Sequence, residues 1–325
     1  MKAIVYTKYG PPDVLQLKEL KKPIPKHNEL LIRVYAATVN RTDCAMLRAK
    51  PFIMRFFTGL FRPKQPILGT DFAGMIEAVG KNVASLKVRD KVFGFDDGGL
   101  SSHAEYMTLS EDNALATMPN NMTYEQAAAS IEGAHYAYNF INKVNIERGQ
   151  KVLVNGATGA IGSAAVQLLK YFGANVTAVC NRKDADLVTS LGANRVIDYT
   201  KEDFTLSSEK YNFVFDTVGK STFKKCKPLL LSKGVYMSSE LGPMVQNPIL
   251  ALVTPIFGSR KVKFSFPANR IRSVRLIKKL SEQEKFRAVI DRTYSLDKIA
   301  EAYRYVEQGQ KIGNVVITVL KNNKT

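Results

Sequence analysis

Apolar and polar positions alternate along the first third of this chain, and the period changes near residue 123. Residues 2–6, 15–20, 29–39, 71–79, 91–95, 104–109 and 113–116 read as strands, rich in β-branched and aromatic residues. Clusters at Tyr9-Gly-Pro-Pro12, Pro23-Ile-Pro25 and 94–99 break them. Thr123, with Gln126 three residues on, reads as a capping box opening a helical run at 127–140, interrupted at Gly133. Beyond it, strands at 152–155, 176–180, 195–198, 213–217 and 234–238 alternate with helical patterns at 163–172, 183–191 and 221–231. Such alternation predicts a parallel sheet covered on both faces. From about residue 270 there are two helical patterns and a last strand at 314–320; Ile299, Ala302, Tyr303 and Val306 share one face of the second helix. This stretch does not extend the alternation, so it is expected to return to the β-rich part. The predicted division is 1–123, 124–269 and 270–325, with a polar tail at 321–325 expected to fray.

The sharpest local signal is the run from Val152 through Gly162. A short apolar strand ends in Gly156-Ala157-Thr158-Gly159-Ala160-Ile161-Gly162, and a helix follows. In a G-x-G-x-x-G register the first glycine is replaced by Ala157, with Gly156 just before it. Glycines leave no Cβ in the way, so backbone N–H groups and a helix N-terminus can approach a pyrophosphate. The next strand ends Val179-Cys180-Asn181-Arg182-Lys183, and Asp184 is the first acid after it. NADH-selective sites place a carboxylate at this strand end to accept from the ribose 2′-OH. Here Asn181 can donate to a 2′-phosphate, and Arg182 or Lys183 can pair with it. The expected cofactor is therefore NADPH. Thr217, Val218 and Gly219, and Ser238 and Ser239, follow later strands, whose carboxyl ends face the cofactor crevice in this architecture.

Composition narrows the field. The 325 residues are 45% hydrophobic and 23% charged, as in an ordinary globular protein large enough for two domains. No apolar run approaches the length of a membrane-spanning helix, and residues 1–7 alternate like a strand, without the apolar core of a signal peptide. Cys44, Cys180 and Cys226 are isolated, which excludes a disulfide framework and a cysteine-based zinc site and points to the cytoplasm. The net charge of +18, with patches at 48–62, 224–233 and 260–279, fits a solvated surface first. Attraction of anionic cofactors and substrates comes next, and contact with a peripheral anionic membrane third. Nucleic acid is not expected, because no aromatic-interleaved basic motif accompanies the charge.

Taken in order, the motifs resemble those of the medium-chain dehydrogenase/reductase superfamily, in its zinc-independent quinone oxidoreductase-like branch. They are the opening Met-Lys-Ala-Ile-Val; Val39-Asn-Arg-Thr-Asp43; Gly69-Thr-Asp-Phe-Ala-Gly74 leading to Val79-Gly80; Arg89-Asp-Lys-Val-Phe-Gly94; and Ala104-Glu-Tyr106. The glycine turn follows, then Leu191-Gly-Ala193, Val196-Ile-Asp-Tyr199, Phe215-Asp-Thr-Val-Gly219 and Gly313-Asn-Val-Val-Ile. The resemblance implies a GroES-like β-rich catalytic domain plus a Rossmann doubly wound parallel sheet, an α/β fold, with the active site in a cleft between them. Zinc relatives carry a cysteine where this chain has Asn40, and Gly-His-Glu where it has Gly69-Thr-Asp71. The cysteines of their structural zinc loop have no counterpart in residues 80–120. No metal is expected, and Cys44, off register, reads as packing.

Several residues take expected roles from this resemblance. Asn40 would sit near the nicotinamide or substrate carbonyl, or else cap a local turn. Asp43 reads as a helix N-cap rather than an acid. His135 lies in Gly133-Ala-His-Tyr-Ala137, where relatives show Gly-x-Thr-Ala; it would contact a phosphate or ribose, relay a proton, or be a satisfied buried histidine. Tyr199 would lie on the adenine side. Lys311 and Asn314 fall in the family's terminal Gly-Lys-Val-Val region, here disrupted in order. Tyr106 and Tyr136 read as core or cleft lining. The apolar segments 247–257 and 52–57 would border the substrate entrance, or else form core or a dimer interface. The reading is a zinc-independent reductase passing hydride from NADPH to a small lipophilic quinone or α,β-unsaturated carbonyl, and a homodimer. The alternatives are an alcohol or aldehyde dehydrogenase of the same superfamily, and a cofactor-binding interaction protein that uses its basic surface.

Overall fold

The computed structural model describes residues 1–320 apart from Ile53 and residues 265–267. The tail 321–325 therefore lies outside the described residues. The chain divides into two compact units, one formed by Met1–Glu132 with the chain from Arg270 onward, the other by Gly133–Asn269.

The first unit is built on the long strand Glu29–Val39, which pairs antiparallel with Asp71–Val79, Tyr106–Ser110 and Asn314–Thr318. Lys91–Phe95 and Leu115–Thr117 extend one side, and Ile290–Ser295 closes the other. Lys2–Val5 and Gln16–Glu19 form a separate antiparallel pair. The C-terminal strand adds to this sheet because Val315 and Ile317 pack with Val39 and with Ile299, Ala302, Tyr303 and Val306 of the helix Ile299–Glu307. The expected boundary at residue 124 needs correction. Thr123 and Gln126 do form the capping box, but their helix Tyr124–Ala128 packs on Glu29–Val39 and Asp71–Val79. The Tyr124 ring stacks on Tyr35 at 4.4 Å. Residues up to Glu132 accordingly belong to the first unit.

The second unit is a six-stranded parallel sheet with the order Arg195–Asp198, Asn175–Cys180, Lys151–Asn155, Tyr211–Asp216, Leu230–Ser238, Lys261–Val262. In sequence rank that is 3-2-1-4-5-6, the doubly wound order of dinucleotide-binding sheets. Its central strands carry continuous apolar runs, Val152–Val154 and Phe213–Phe215, as burial on both faces demands. The expected helix at 221–231 is instead a single turn, Phe223–Cys226, followed by a 3-10 turn carrying Pro228, and the next strand starts at Leu230. Pro228 lacks an N–H and cannot continue a helix. The segment read only as apolar, 247–257, lies within the helix Gln246–Phe257.

Candidate active site

The glycine turn uses its three glycines differently. Gly156 has φ +79°, and a Cβ there would lie 2.4 Å from Val218 Cγ1. At Gly162 a Cβ would lie 2.1 Å from the Gly156 carbonyl oxygen. Both glycines are demanded by the fold itself. Gly159 is different: it has an ordinary φ of −68°, and a Cβ there would meet only the Gly156 oxygen at 3.6 Å. Gly159 is also the N-cap of the helix Ala160–Tyr171, with no side chain capping it. The N–H groups of Ala160, Ile161 and Gly162 thus open the helix without an intrahelical acceptor. Ala157 is fully buried and donates its N–H to the Val179 carbonyl, while Thr158 is half-buried. The arrangement leaves an open cradle with positive partial charge over Gly159, which fits a pyrophosphate.

At the end of the second strand, Asn181 accepts from the Lys183 N–H at 3.2 Å and so caps the turn Arg182–Asp184. Arg182 and Lys183 are exposed. Asp198, the register partner of Cys180, has Oδ1 occupied by the amide and hydroxyl of Thr200. Those hydrogen bonds hold its carboxyl below the usual range. Tyr199 is 58% exposed beside this strand end, open for a stacking contact. The two central strands are tied at their carboxyl ends: the Thr217 hydroxyl donates to the Asn155 carbonyl at 2.8 Å. Asp216, fully buried, accepts from Asn155 Nδ2, from the Ser221 N–H at 2.9 Å and from the Tyr236 hydroxyl. Val218 fills the space left by Gly156, and Gly219 has φ +64°. Ser238 accepts from the Glu240 N–H, and the Ser239 N–H donates to the Asp216 carbonyl. This network fixes the switch point at which such sheets bind dinucleotides.

The first unit carries a buried polar cluster. Asn40 is the N-cap of the helix Arg41–Arg48, and Asp43 is the third residue of a reciprocal capping box rather than the N-cap. The other end of the Asn40 amide donates to Thr70 Oγ1 at 2.7 Å. The two positions where zinc relatives carry ligands therefore hold an amide and a hydroxyl bonded to each other. Asp71 accepts from both the N–H and the hydroxyl of Thr38. Burial pushes its carboxyl up to about 8, and burial together with Asp71 pushes Asp43 well above the carboxylate range. His103 Nε2 lies 2.8 Å from the Thr38 carbonyl, which can only accept, so Nε2 bears the proton. Burial lowers this imidazole to about 4. Thr42 Oγ1 donates to Glu132 Oε1 at 2.9 Å, and burial raises Glu132 to about 7. Lys311 donates to the Gly313 carbonyl, and burial lowers its ammonium while Glu132 and Asp291 act against that. Asn314 donates its side-chain amide to the Val289 carbonyl at 3.0 Å, pinning the last strand.

His135 is fully buried in the helix Glu132–Lys143 of which it is the fourth residue, with its ring edge-on to Tyr136 and the Asn139 amide 3.3–3.4 Å from its two ring nitrogens. Sequence reasoning passed over Asn155, Asp216, Thr42 and Glu132. Asp216 had a signal in the Asp-Thr-Val-Gly motif. The others depend on partners far along the chain.

With this geometry in place, residues 26–120 match the family model of the alcohol dehydrogenase GroES-like domain, and residues 191–317 that of the zinc-binding dehydrogenase. The chain is 34% identical over 332 residues to the 2-methylene-furan-3-one reductase of Solanum lycopersicum, covering 98% of this chain and 79% of that protein. It is 32% identical over 332 residues to the chloroplastic NADPH-dependent alkenal/one oxidoreductase of Arabidopsis thaliana, with the same coverage. Among solved structures, the quinone oxidoreductase of Coxiella burnetii superposes with a TM-score of 0.86 at 27% identity, over 98% of this chain and 99% of that one. The chain belongs to the medium-chain dehydrogenase/reductase superfamily, in its zinc-independent branch of quinone and alkenal oxidoreductases.

Proposed function

We propose that this protein is an NADPH-dependent reductase that reduces a quinone or the carbon–carbon double bond of an α,β-unsaturated carbonyl. The Asn40–Thr70 hydrogen bond carries this reading. Alcohol oxidation needs a Lewis acid to stabilise an alkoxide as hydride leaves, and an amide bonded to a hydroxyl offers neither thiolate nor imidazole to hold one. Reduction of an electron-poor acceptor needs only hydrogen-bond donors for the developing oxyanion, and a proton. The cofactor, when bound, supplies the hydride. The chain's own part is to receive the pyrophosphate over Gly159 and the helix start at Ala160, and the 2′-phosphate at Asn181, Arg182 and Lys183. Thr217 and Asp216 hold the strand ends in register. The relatives named above, described as reductases of an exocyclic enone and of alkenals or enones, support the substrate class. Exhaustive chelation is expected to leave NADPH oxidation with 1,4-benzoquinone or 2-hexenal unchanged. Loss of turnover that returns only with zinc would reject the reading.

Three buried, unpaired cysteines support a reducing compartment, in line with a cytoplasmic home. The helix Gln246–Phe257 supports the homodimer. Leu252, Ile256 and Phe257 are 76%, 74% and 82% exposed, beside the sheet's edge strand Lys261–Val262. The Val262 N–H on that edge already donates to Thr254 Oγ1 of this helix, so it is the exposed apolar helix face that suits a second copy of this chain. In sedimentation experiments the wild type is expected to be a dimer, and Leu252→Asp/Ile256→Asp a monomer. A monomeric wild type that binds anionic vesicles through this helix would replace the dimer with the membrane contact.

A further inference from the structure

Between Asp43 and Asp71 the chain carries five cations, Arg48, Lys50, Arg55, Arg62 and Lys64, and no acid. Glu307 neutralises Arg48 through two hydrogen bonds. Among the described residues the other four make no ion pair, and Lys50, Arg62 and Lys64 are exposed. Large apolar side chains stand among them: Phe52, Phe56 and Phe61 are 63%, 65% and 86% exposed, and Leu60 is exposed as well. The backbone builds this exposure in. The short helix Met54–Thr58 is followed by Gly59, which has φ +126° and where a Cβ would lie 2.1 Å from the Arg62 carbonyl oxygen. The Lys64 N–H donates to the Thr58 carbonyl at 2.8 Å, and the Tyr9 hydroxyl donates to the Gly59 carbonyl at 2.7 Å. A turn tied down at its base thus presents Leu60 and Phe61 to solvent.

From this we infer that residues 50–64 dock the protein on the surface of an anionic lipid bilayer. Phe52, Phe56, Leu60 and Phe61 enter the headgroup boundary, and Lys50, Arg62 and Lys64 pair with the anionic headgroups. Charge complementarity selects this occupant. A two-fold contact with a second copy of this chain would set the same surface against itself, bringing cations to cations with no acid in the segment to pair them. A nucleic-acid strand would match the charge, but such strands are held by open aromatic faces on which bases stack. Here Phe52 and Phe56 meet edge-on at 6.2 Å, and the Arg55 guanidinium lies over the Phe52 ring. Thr58, the one uncharged polar side chain in 50–64, donates to the Met54 carbonyl. Phenyl and leucyl groups gain by leaving water for the acyl boundary, and the cations beside them gain by approaching anionic lipid. The docking does not rest on the reductase function, since vesicle binding is read without cofactor or acceptor.

The test is co-sedimentation of the full-length protein with vesicles of phosphatidylcholine alone and of equal parts phosphatidylcholine and phosphatidylserine. The wild type is expected to bind the anionic vesicles far more tightly than the neutral ones. It should be released as salt rises from about 0.1 M to about 1 M, over which the Debye length contracts from about 10 Å to about 3 Å. Arg62→Gln/Lys64→Gln should bind about 25-fold more weakly, about 5-fold for each cation near the surface. Phe61→Ser should lose about 10-fold. Both variants should keep the wild-type Tm, because the replaced side chains are exposed. The chain has no Trp, so Phe61→Trp carries a single indole. Its emission is expected to shift to the blue on anionic vesicles and to be quenched by lipids brominated on their acyl chains. An unshifted, unquenched indole on bound protein would overturn the docking mode. Binding that survives these substitutions but is lost in Leu252→Asp/Ile256→Asp would overturn it in favour of the helix Gln246–Phe257. Retention on polyuridylate without vesicle binding, or a smaller oligomer caused by Phe61→Ser, would assign the segment to nucleic acid or to a second copy instead.

Discussion

Gly159→Val is expected to raise the NADPH dissociation constant about 100-fold, about 2.7 kcal/mol, while its Tm stays within about 4 °C of wild type. The two halves of this expectation have one cause. A Cβ at Gly159 meets nothing closer than the Gly156 carbonyl oxygen at 3.6 Å, and the residue's φ suits any side chain. The folded protein therefore has room for valine, and the room it fills is the approach to the unsatisfied N–H groups of the helix Ala160–Tyr171. Gly162→Ala should behave in the opposite way. Its methyl would sit 2.1 Å from a backbone oxygen, so the turn must open, and stability should fall by several kcal/mol, as for other forced overpacking. Titration of NADPH by fluorescence, beside thermal unfolding of both variants, checks the pair. Unchanged affinity in a folded Gly159→Val protein would remove this turn from the site.

The second large effect concerns cofactor choice. The wild type is expected to favour NADPH over NADH by about 100-fold in kcat/KM, the contribution of about 3 kcal/mol that charge-assisted contacts to a 2′-phosphate provide. Arg182 and Lys183 are exposed, so part of this preference should be screened and shrink as salt rises. The neighbouring Asp198 is kept ionised by its hydrogen bonds from Thr200, so its carboxylate offsets part of that attraction. In Arg182→Glu/Lys183→Ala the preference should collapse and NADH should become the better cofactor, since a carboxylate at this strand end repels the phosphate and accepts from a 2′-OH. A wild type indifferent to the two cofactors, or a variant whose ratio does not move, would remove these residues from the cofactor site.

What could be read from the chain, and what could not, follows the range of the forces involved. The alternating and helical periods are local, so the parallel strands at 152–155, 176–180, 195–198 and 213–217 were legible nearly to the residue, and so was the glycine turn. The boundary at 124 was misplaced because the capping box at Thr123 starts a helix wherever that helix then packs. Its allegiance is set by the Tyr124–Tyr35 stack, a contact between distant residues. Lys261–Val262 is too short to show a period, and Pro228 shortened a helix whose apolar spacing looked continuous. In the polar cluster, the sequence showed that Asn40 and Thr70 replace metal ligands. That they bond to each other across thirty residues is a tertiary fact. Glu132 gave no signal, since a single acid at a helix start is usually a solvated one, and only its burial beside Thr42 and Lys311 sets it apart.

The central claim is that hydride from NADPH reaches the carbon conjugated to a carbonyl rather than the carbonyl carbon itself. The most direct measurement is single-product analysis of 2-hexenal reduced with NADPH deuterated at the transferring C4 position, for the metal-free wild type. The expected product is hexanal carrying one deuterium at the β-carbon. Deuterium at C1 of 2-hexenol, or turnover that depends on added zinc, would contradict the account.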